Sequence, residues 1–140
     1  MRKIVSASVF AFALLLIIGC GDGGPKIVTV SGQATYKQKP IERLILTFSP
    51  ANGRPSTAMT DADGKFELVY EGERKGAQQG SHTVTVEYRA KDPGEEMDIL
   101  EGKKKRPPEI EAIIKKYVEG KERLIVEVKE ATKTFELKLD

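Results

Sequence analysis

Few residues of this chain have both the type and the spacing for chemistry. Cys20 is the only thiol, His82 the only imidazole, and Asp61 and Asp63 alternate within Asp61-Ala62-Asp63-Gly64. A lone thiol can be acylated but cannot close a disulfide within its own chain. A single histidine with no second histidine or free thiol does not make a tetrahedral zinc set. At the start of a strand pattern, His82 reads as a surface residue. Alternating carboxylates can converge on a hard cation, yet the glutamate that closes a calcium loop is missing, since the twelfth position counted from Asp61 is Gly72. Glu71 and Glu73 are out of register. The reading that needs no metal is a hairpin turn in which Asp61 bonds its own backbone and Gly64 supplies a positive φ.

The remaining charged groups read as solvated. Glu95-Glu96 lies in a charged connection, and Lys103-Lys104-Lys105-Arg106 follows Glu95, Glu96, Asp98 and Glu101, which largely cancel it. A basic cluster could touch anionic headgroups or an acidic partner, but the balance favours a solvated loop. No serine sits in a nucleophile elbow and no glycine-rich phosphate loop is present. The residues therefore name no catalytic group, no metal ligand and no cofactor.

The thiol acquires meaning from what precedes it. Arg2 and Lys3 are followed by an uncharged stretch from Ile4 to Ile18, the length of a signal h-region and short of the ~20 residues a spanning helix needs. Ile17-Ile18-Gly19-Cys20 resembles the lipobox of bacterial lipoproteins. A small residue permits cleavage, and the thiol forms a thioether to lipid. The resemblance implies a signal peptide over 1–19 and lipidation at Cys20. It also implies a tether over 20–26, whose Gly21, Asp22, Gly23, Gly24 and Pro25 cannot build a packed element. Each buried methylene is worth ~0.8 kcal/mol, so two or three acyl chains would hold the protein on a membrane. The implied location is the bacterial cell envelope, after export from the cytoplasm.

Charge narrows the partners. Removing residues 1–19 takes Arg2 and Lys3 from 23 basic residues and nothing from 21 acidic ones, leaving 21 of each. A neutral mature chain lacks the basic excess that nucleic acid asks for. About 120 mature residues suit one domain, assigned to 27–140, which must rest on its hydrophobic core.

Alternation with period two dominates that domain. Val28, Val30 and Ala34 share one side of a first strand. Leu44, Leu46 and Phe48 do the same in the next, and Phe66, Leu68 and Tyr70 in a strand over Lys65 to Glu71. Val84, Val86 and Tyr88 follow, then Leu124, Val126 and Val128, and finally Phe135, Leu137 and Leu139. A weak polar strand from Arg54 to Thr60 makes seven. Asn52-Gly53 suits a tight hairpin, Gly72 to Gly80 reads as a polar loop, and Glu130-Ala131-Thr132 as the turn into the last strand. Seven strands with one buried face point to a β-sandwich, with open edges through which copies could pair.

One stretch breaks the pattern. Ile110, Ile113, Ile114, Tyr117 and Val118 recur on one helical face, with Pro108 at the start and Gly120 at the end. About three turns of helix are expected before the last two strands, packed on an end or edge of the sandwich. Lys91 to Pro107 reads as a long mobile connection.

Several of these pieces, in order, resemble the carboxypeptidase regulatory-like (transthyretin-like) domain. They are Val30-Ser31-Gly32-Gln33-Ala34-Thr35-Tyr36, Lys39-Pro40-Ile41, Leu44 to Pro50, Thr60-Asp61-Ala62-Asp63-Gly64-Lys65-Phe66 and Thr83 to Tyr88. Lys39 stands where glycine is usual, and the helical insert is longer than the pattern requires. The resemblance implies a mainly β, seven-stranded, transthyretin-like (prealbumin-like) sandwich. It brings no enzyme, because no H-x-x-E zinc motif is present. The hydroxyisourate-hydrolysing relatives rely on several histidines and a terminal Tyr-Arg-Gly-Ser, and this chain has one histidine and ends Leu137-Lys138-Leu139-Asp140. The expectation is a non-catalytic, lipid-anchored envelope protein presenting a β surface to other proteins or surface polymers. The competing expectation is a receptor module for carbohydrate or calcium.

Overall fold

The computed structural model of the chain describes residues 23–130 and 134–140. Residues 1–22, with Cys20, and residues 131–133 lie outside the described part, as do the leader, the first three residues of the tether and the centre of the expected turn at Glu130-Ala131-Thr132. Among the described residues no helix is long and apolar enough to cross a membrane.

The domain is mainly β. Its strands are β1 (Ile27–Val28), β2 (Ser31–Tyr36), β3 (Lys39–Pro40), β4 (Leu44–Pro50), β5 (Ser56–Met59), β6 (Lys65–Glu67), β7 (Val69–Glu71), β8 (Arg74–Lys75), β9 (Ala77–Gln78), β10 (Gly80–Tyr88), β11 (Leu124–Val128) and β12 (Phe135–Lys138). Between β10 and β11 lie α1 (Pro93–Leu100), α2 (Pro108–Ile114) and a π-helical continuation, Lys115–Glu119. One open sheet has the order β11-β10-β4-β5-β7-β8; the other joins β12, β2 and β3, with β6 also paired to β2. β1 and β9 form a separate two-stranded clip.

The alternation seen in the sequence is what buries the core. Leu44, Leu46 and Phe48 of β4, Val84 and Val86 of β10 and Val128 of β11 lie in one apolar cluster with Val30 just before β2, Ala34 of β2 and Leu137 of β12. Each strand contributes every second side chain, as a pleat requires. Phe48 touches Phe66 of β6 and Phe135 of β12, with ring centroids 6.2 and 6.1 Å apart, so the two sheets are joined through aromatic contact. β12 runs parallel to β2, Leu137 opposite Ala34. The remaining strand pairs are antiparallel.

Four expectations are corrected. The single strand over Lys65 to Glu71 is two, because the chain changes sheets at the fully buried Leu68. The Leu68 amide donates to Val30 O and its carbonyl accepts from Gly76 N, so β6 pairs with β2 and β7 with β5. The polar loop from Gly72 to Gly80 holds β8 and β9. The hairpin after β4 closes by five residues, 51–55, and not by Asn-Gly alone. The connection from Lys91 to Pro107 contains α1, started by Asp92, whose side chain accepts from Glu95 N while Pro93 takes the first turn.

The expected apolar face of α2 and its continuation is buried at its start and not at its end: Ile114 and Tyr117 are partly buried, and Val118 is exposed because the π-helical continuation buries no residue. Ile110 and Ile113 are buried in the common core, and the far end is tied to the segment just after β12 by Lys116 Nζ donating to Asp140 O at 2.7 Å. This helix fills the flank beside Thr85–Tyr88, where β11 no longer accompanies β10.

Candidate functional site

The strand registers give the molecule two poles. Gly80 lies opposite Val128, and His82 lies opposite both Val126 and Pro50; the β1–β9 clip is on this side. Six residues further along β10, about 20 Å at the usual strand rise, Tyr88 lies opposite Leu44. The N-terminal segment therefore enters at one pole, and the turns after β2 and β3 gather at the other with α1 and α2.

Backbone strain concentrates at that second pole. β2 and β3 are joined by Lys37 and Gln38, with φ of 48° and 66°, the signature of a type I′ turn that glycine or asparagine would enter more easily. The glycine-requiring positions are thus Lys37 and Gln38, while Lys39 is already in β3. Arg43, at φ 63°, is the third non-glycine residue with a positive φ among those described. It is held there from both sides, its amide donating to Thr60 O at 3.0 Å and its carbonyl accepting from Arg89 N at 2.8 Å. Such conformations cost on the order of 1 kcal/mol or more and persist where the surroundings over-determine them. Thr60 supplies part of that frame: its buried hydroxyl accepts the Leu44 amide at 2.9 Å.

Around these turns lies a cleft of about 200 Å³ whose walls include Lys39, Glu42, Arg43, Tyr88, Glu109 and Ile110. Lys39 and Glu109 also line the neighbouring hollow, and Glu42 and Arg43 a broader one beside Asp61. None of Lys39, Glu42, Arg43 and Glu109 joins an ion pair among the described residues, although eight pairs form elsewhere. Two unpaired cations, two unpaired anions and a tyrosine around one hollow can hydrogen-bond a polar or zwitterionic group. They do not form a nucleophile–base pair.

α1 is fastened next to this cleft by Glu95. Its carboxylate accepts the Lys91 backbone N–H at 2.5 Å and the Lys104 ammonium at 2.6 Å, and the side chain is only 13% exposed. The Lys104 hydrogen bond, then the Lys91 amide, hold this carboxyl below the usual glutamate range, and Lys104 is raised in return. The Tyr88 hydroxyl is pushed above its ordinary value, first by burial and then by the Glu95 charge, with Arg43 opposing.

The residues singled out from the sequence are dispersed. Asp61 and Asp63 sit in the expected turn: Asp61 Oδ1 accepts from Asp63 N at 2.9 Å and Lys65 N at 2.8 Å, and Gly64 has φ 70°. Among the described residues no group of three or more His, Cys, Asp or Glu could hold a metal ion. His82 is a correction. It is 1% exposed, not on the surface, because it shares the inward parity of Val84 and Val86. Its Nε2 donates to Gln78 O at 2.6 Å, and its buried Nδ1 has no partner among the described residues. Glu95 is a second correction, a helix fastener and not a solvated acid. Of the basic cluster, Lys103 pairs with Glu101 and Lys104 with Glu95, so the upstream acids do neutralise part of it, while Arg106 pairs with Glu111 downstream. Lys39, Glu42, Arg43, Tyr88 and Glu109 were not foreseen as a group, since they meet only when the chain folds.

No family model matches this chain, and no match was found among curated proteins or solved structures.

Proposed function

We propose that this chain is a non-catalytic, lipid-anchored protein of the bacterial cell envelope, whose β domain offers its cleft-bearing pole to other envelope proteins or to surface polymers. The observation that carries the reading is polarity. Residue 26 leads into the β1–β9 clip at one pole, just beyond the lipobox-like Ile17-Ile18-Gly19-Cys20. The strained turns and the unpaired charges lie about 20 Å away at the other. A domain tethered at Cys20 would carry the cleft outward. We further propose that the two sheets are a transthyretin-like sandwich of the carboxypeptidase regulatory-like kind, an assignment supported by the ordered motifs from Val30 to Tyr88.

Membrane fractionation with mass spectrometry tests this directly. The expected product begins at Cys20 and carries acyl chains, and Cys20→Ser leaves an unacylated precursor. A freely diffusing, unacylated wild-type product would refute the anchoring.

A second reading, a ligand-binding receptor module, has one feature in its favour, the four unpaired charges of the cleft. Carbohydrate is the better-suited ligand. The calcium version is disfavoured because Asp61 Oδ1 already accepts two backbone amides. Glycan binding lost in Lys39→Ala and Glu109→Ala would favour the receptor; no change in melting temperature with glycans or calcium would leave the presenting role.

A further inference from the structure

The sheet edges of this domain are not alike. β8 ends the six-stranded sheet with two exposed residues, Arg74–Lys75, and β3 ends the other with an exposed Lys39–Pro40. Short, charged or proline-bearing edges resist pairing with another chain. β11 ends the six-stranded sheet on its other side with five residues, Leu124–Val128, free of proline and glycine, and is paired among the described residues with β10 alone. Its second residue, Ile125, is 63% exposed. On the same face lie Arg123 and Glu127, both exposed, opposite in charge and outside every described ion pair.

We propose that β11 pairs antiparallel with β11 of a second copy of this chain, Ile125 facing Ile125 across a two-fold axis. Continuity of the inner and outer faces requires the axis to pass through a residue, because a one-residue slip exchanges the faces. An axis at Leu124 or Val128 leaves most of the strand unpaired. At Val126 it sets Arg123 against Lys129 and Glu122 against Glu130, and at Glu127 it sets that carboxylate against itself. At Ile125 it sets Arg123 against Glu127 twice, with Leu124 opposite Val126 on the inner face. Like charges directly opposite destabilise a strand pair and opposite charges stabilise it. Among the registers that pair most of the strand, the Ile125-centred one alone sets opposite charges beside the axis, its like pair, Lys121 against Lys129, lying outside Leu124–Val128, and it covers an isoleucine that otherwise stands in water. An isologous contact of this kind closes at two copies, so it yields a dimer and not a fibre.

Disulfide trapping of the full chain reads the register. Opposed residues in an antiparallel pair have Cα atoms about 4.5–5.5 Å apart, inside the roughly 4.4–6.8 Å that a disulfide spans. Ile125→Cys is expected to give a covalent dimer under copper–phenanthroline oxidation. Glu127→Cys, about 13 Å from its counterpart at the strand rise, should stay at the background set by Cys20 in the parent chain. Added to Ile125→Cys, Arg123→Glu should lower the yield by about tenfold, and Arg123→Glu with Glu127→Arg should restore it. All three positions are exposed, and circular dichroism confirms that each variant keeps its strands. Equal trapping at 125 and 127, no trapping at 125, or a yield indifferent to the charge reversal overturns the proposal.

Discussion

Phe48 of β4 meets Phe135 of β12 edge to face, ring centroids 6.1 Å apart and planes at 81°. The contact joins the two sheets across most of the chain's length, and Phe48 is fully buried. Phe48→Ala should cost about 3–5 kcal/mol in urea unfolding, as deletion of a core phenylalanine usually does. A double-mutant cycle with Phe135→Ala should return a coupling of about 0.5–1.5 kcal/mol for the ring pair. Additive losses would mean that the rings only fill space.

Gly32 of β2 lies beneath this contact. A Cβ there would run into the Phe135 backbone oxygen and the tip of the Phe66 ring, and the backbone obstacle cannot rotate away. Gly32→Ala should therefore destabilise by about 1–3 kcal/mol through overpacking. Amide exchange should quicken first in β12, whose register opposes Phe135 to Gly32.

Glu95 gives α1 a pH dependence of known sign. Its folded carboxyl titrates below the ordinary value. Its contribution is thus complete above the unfolded pKa of about 4.3 and is lost as pH falls through the lower folded value. Nuclear magnetic resonance signals of Pro93–Leu100 should show fraying below about pH 4, ahead of the strands. Glu95→Gln should fray α1 at neutral pH and abolish the acid step.

His82 separates packing from hydrogen bonding. His82→Ala opens a cavity and removes a donor, at about 2–4 kcal/mol. His82→Leu comes close to keeping the volume and deletes the orphaned Nδ1, so it should fall within about 1.5 kcal/mol of the parent in thermal unfolding. Equal losses for the two variants would show that the Nε2 bond to Gln78 O dominates.

The strands at Leu44–Phe48, Val84–Val86 and Val126–Val128 were legible because a half-buried pleat writes period two into the sequence. The face of α2 was legible through Ile110 and Ile113, and the Asp61 turn through its Asp-x-Asp-Gly chemistry. The sheet change at Leu68 was not, since alternation reads the same whichever sheet receives the strand. α1 buries no residue and so lacked periodicity, although Asp92-Pro93-Gly94-Glu95 carried the spacing of a capped start. His82 could have been placed by parity with Val84, had residue type not been weighed above position. The cleft left no local trace, because Arg43, Tyr88 and Glu109 are brought together by topology.

The β1–β9 clip has a mechanical consequence. Tension applied at residue 26 reaches first the Lys26 carbonyl bound to Gln79 N, the ion pair of Lys26 with Glu130, and two strand pairs, Ile27 with Gln78 and Val28 with Ala77. These few bonds lie apart from both larger sheets. A pull at the N-terminal side of residue 26 would unzip the clip like a sacrificial stitch, freeing a few residues of chain before the larger sheets are loaded.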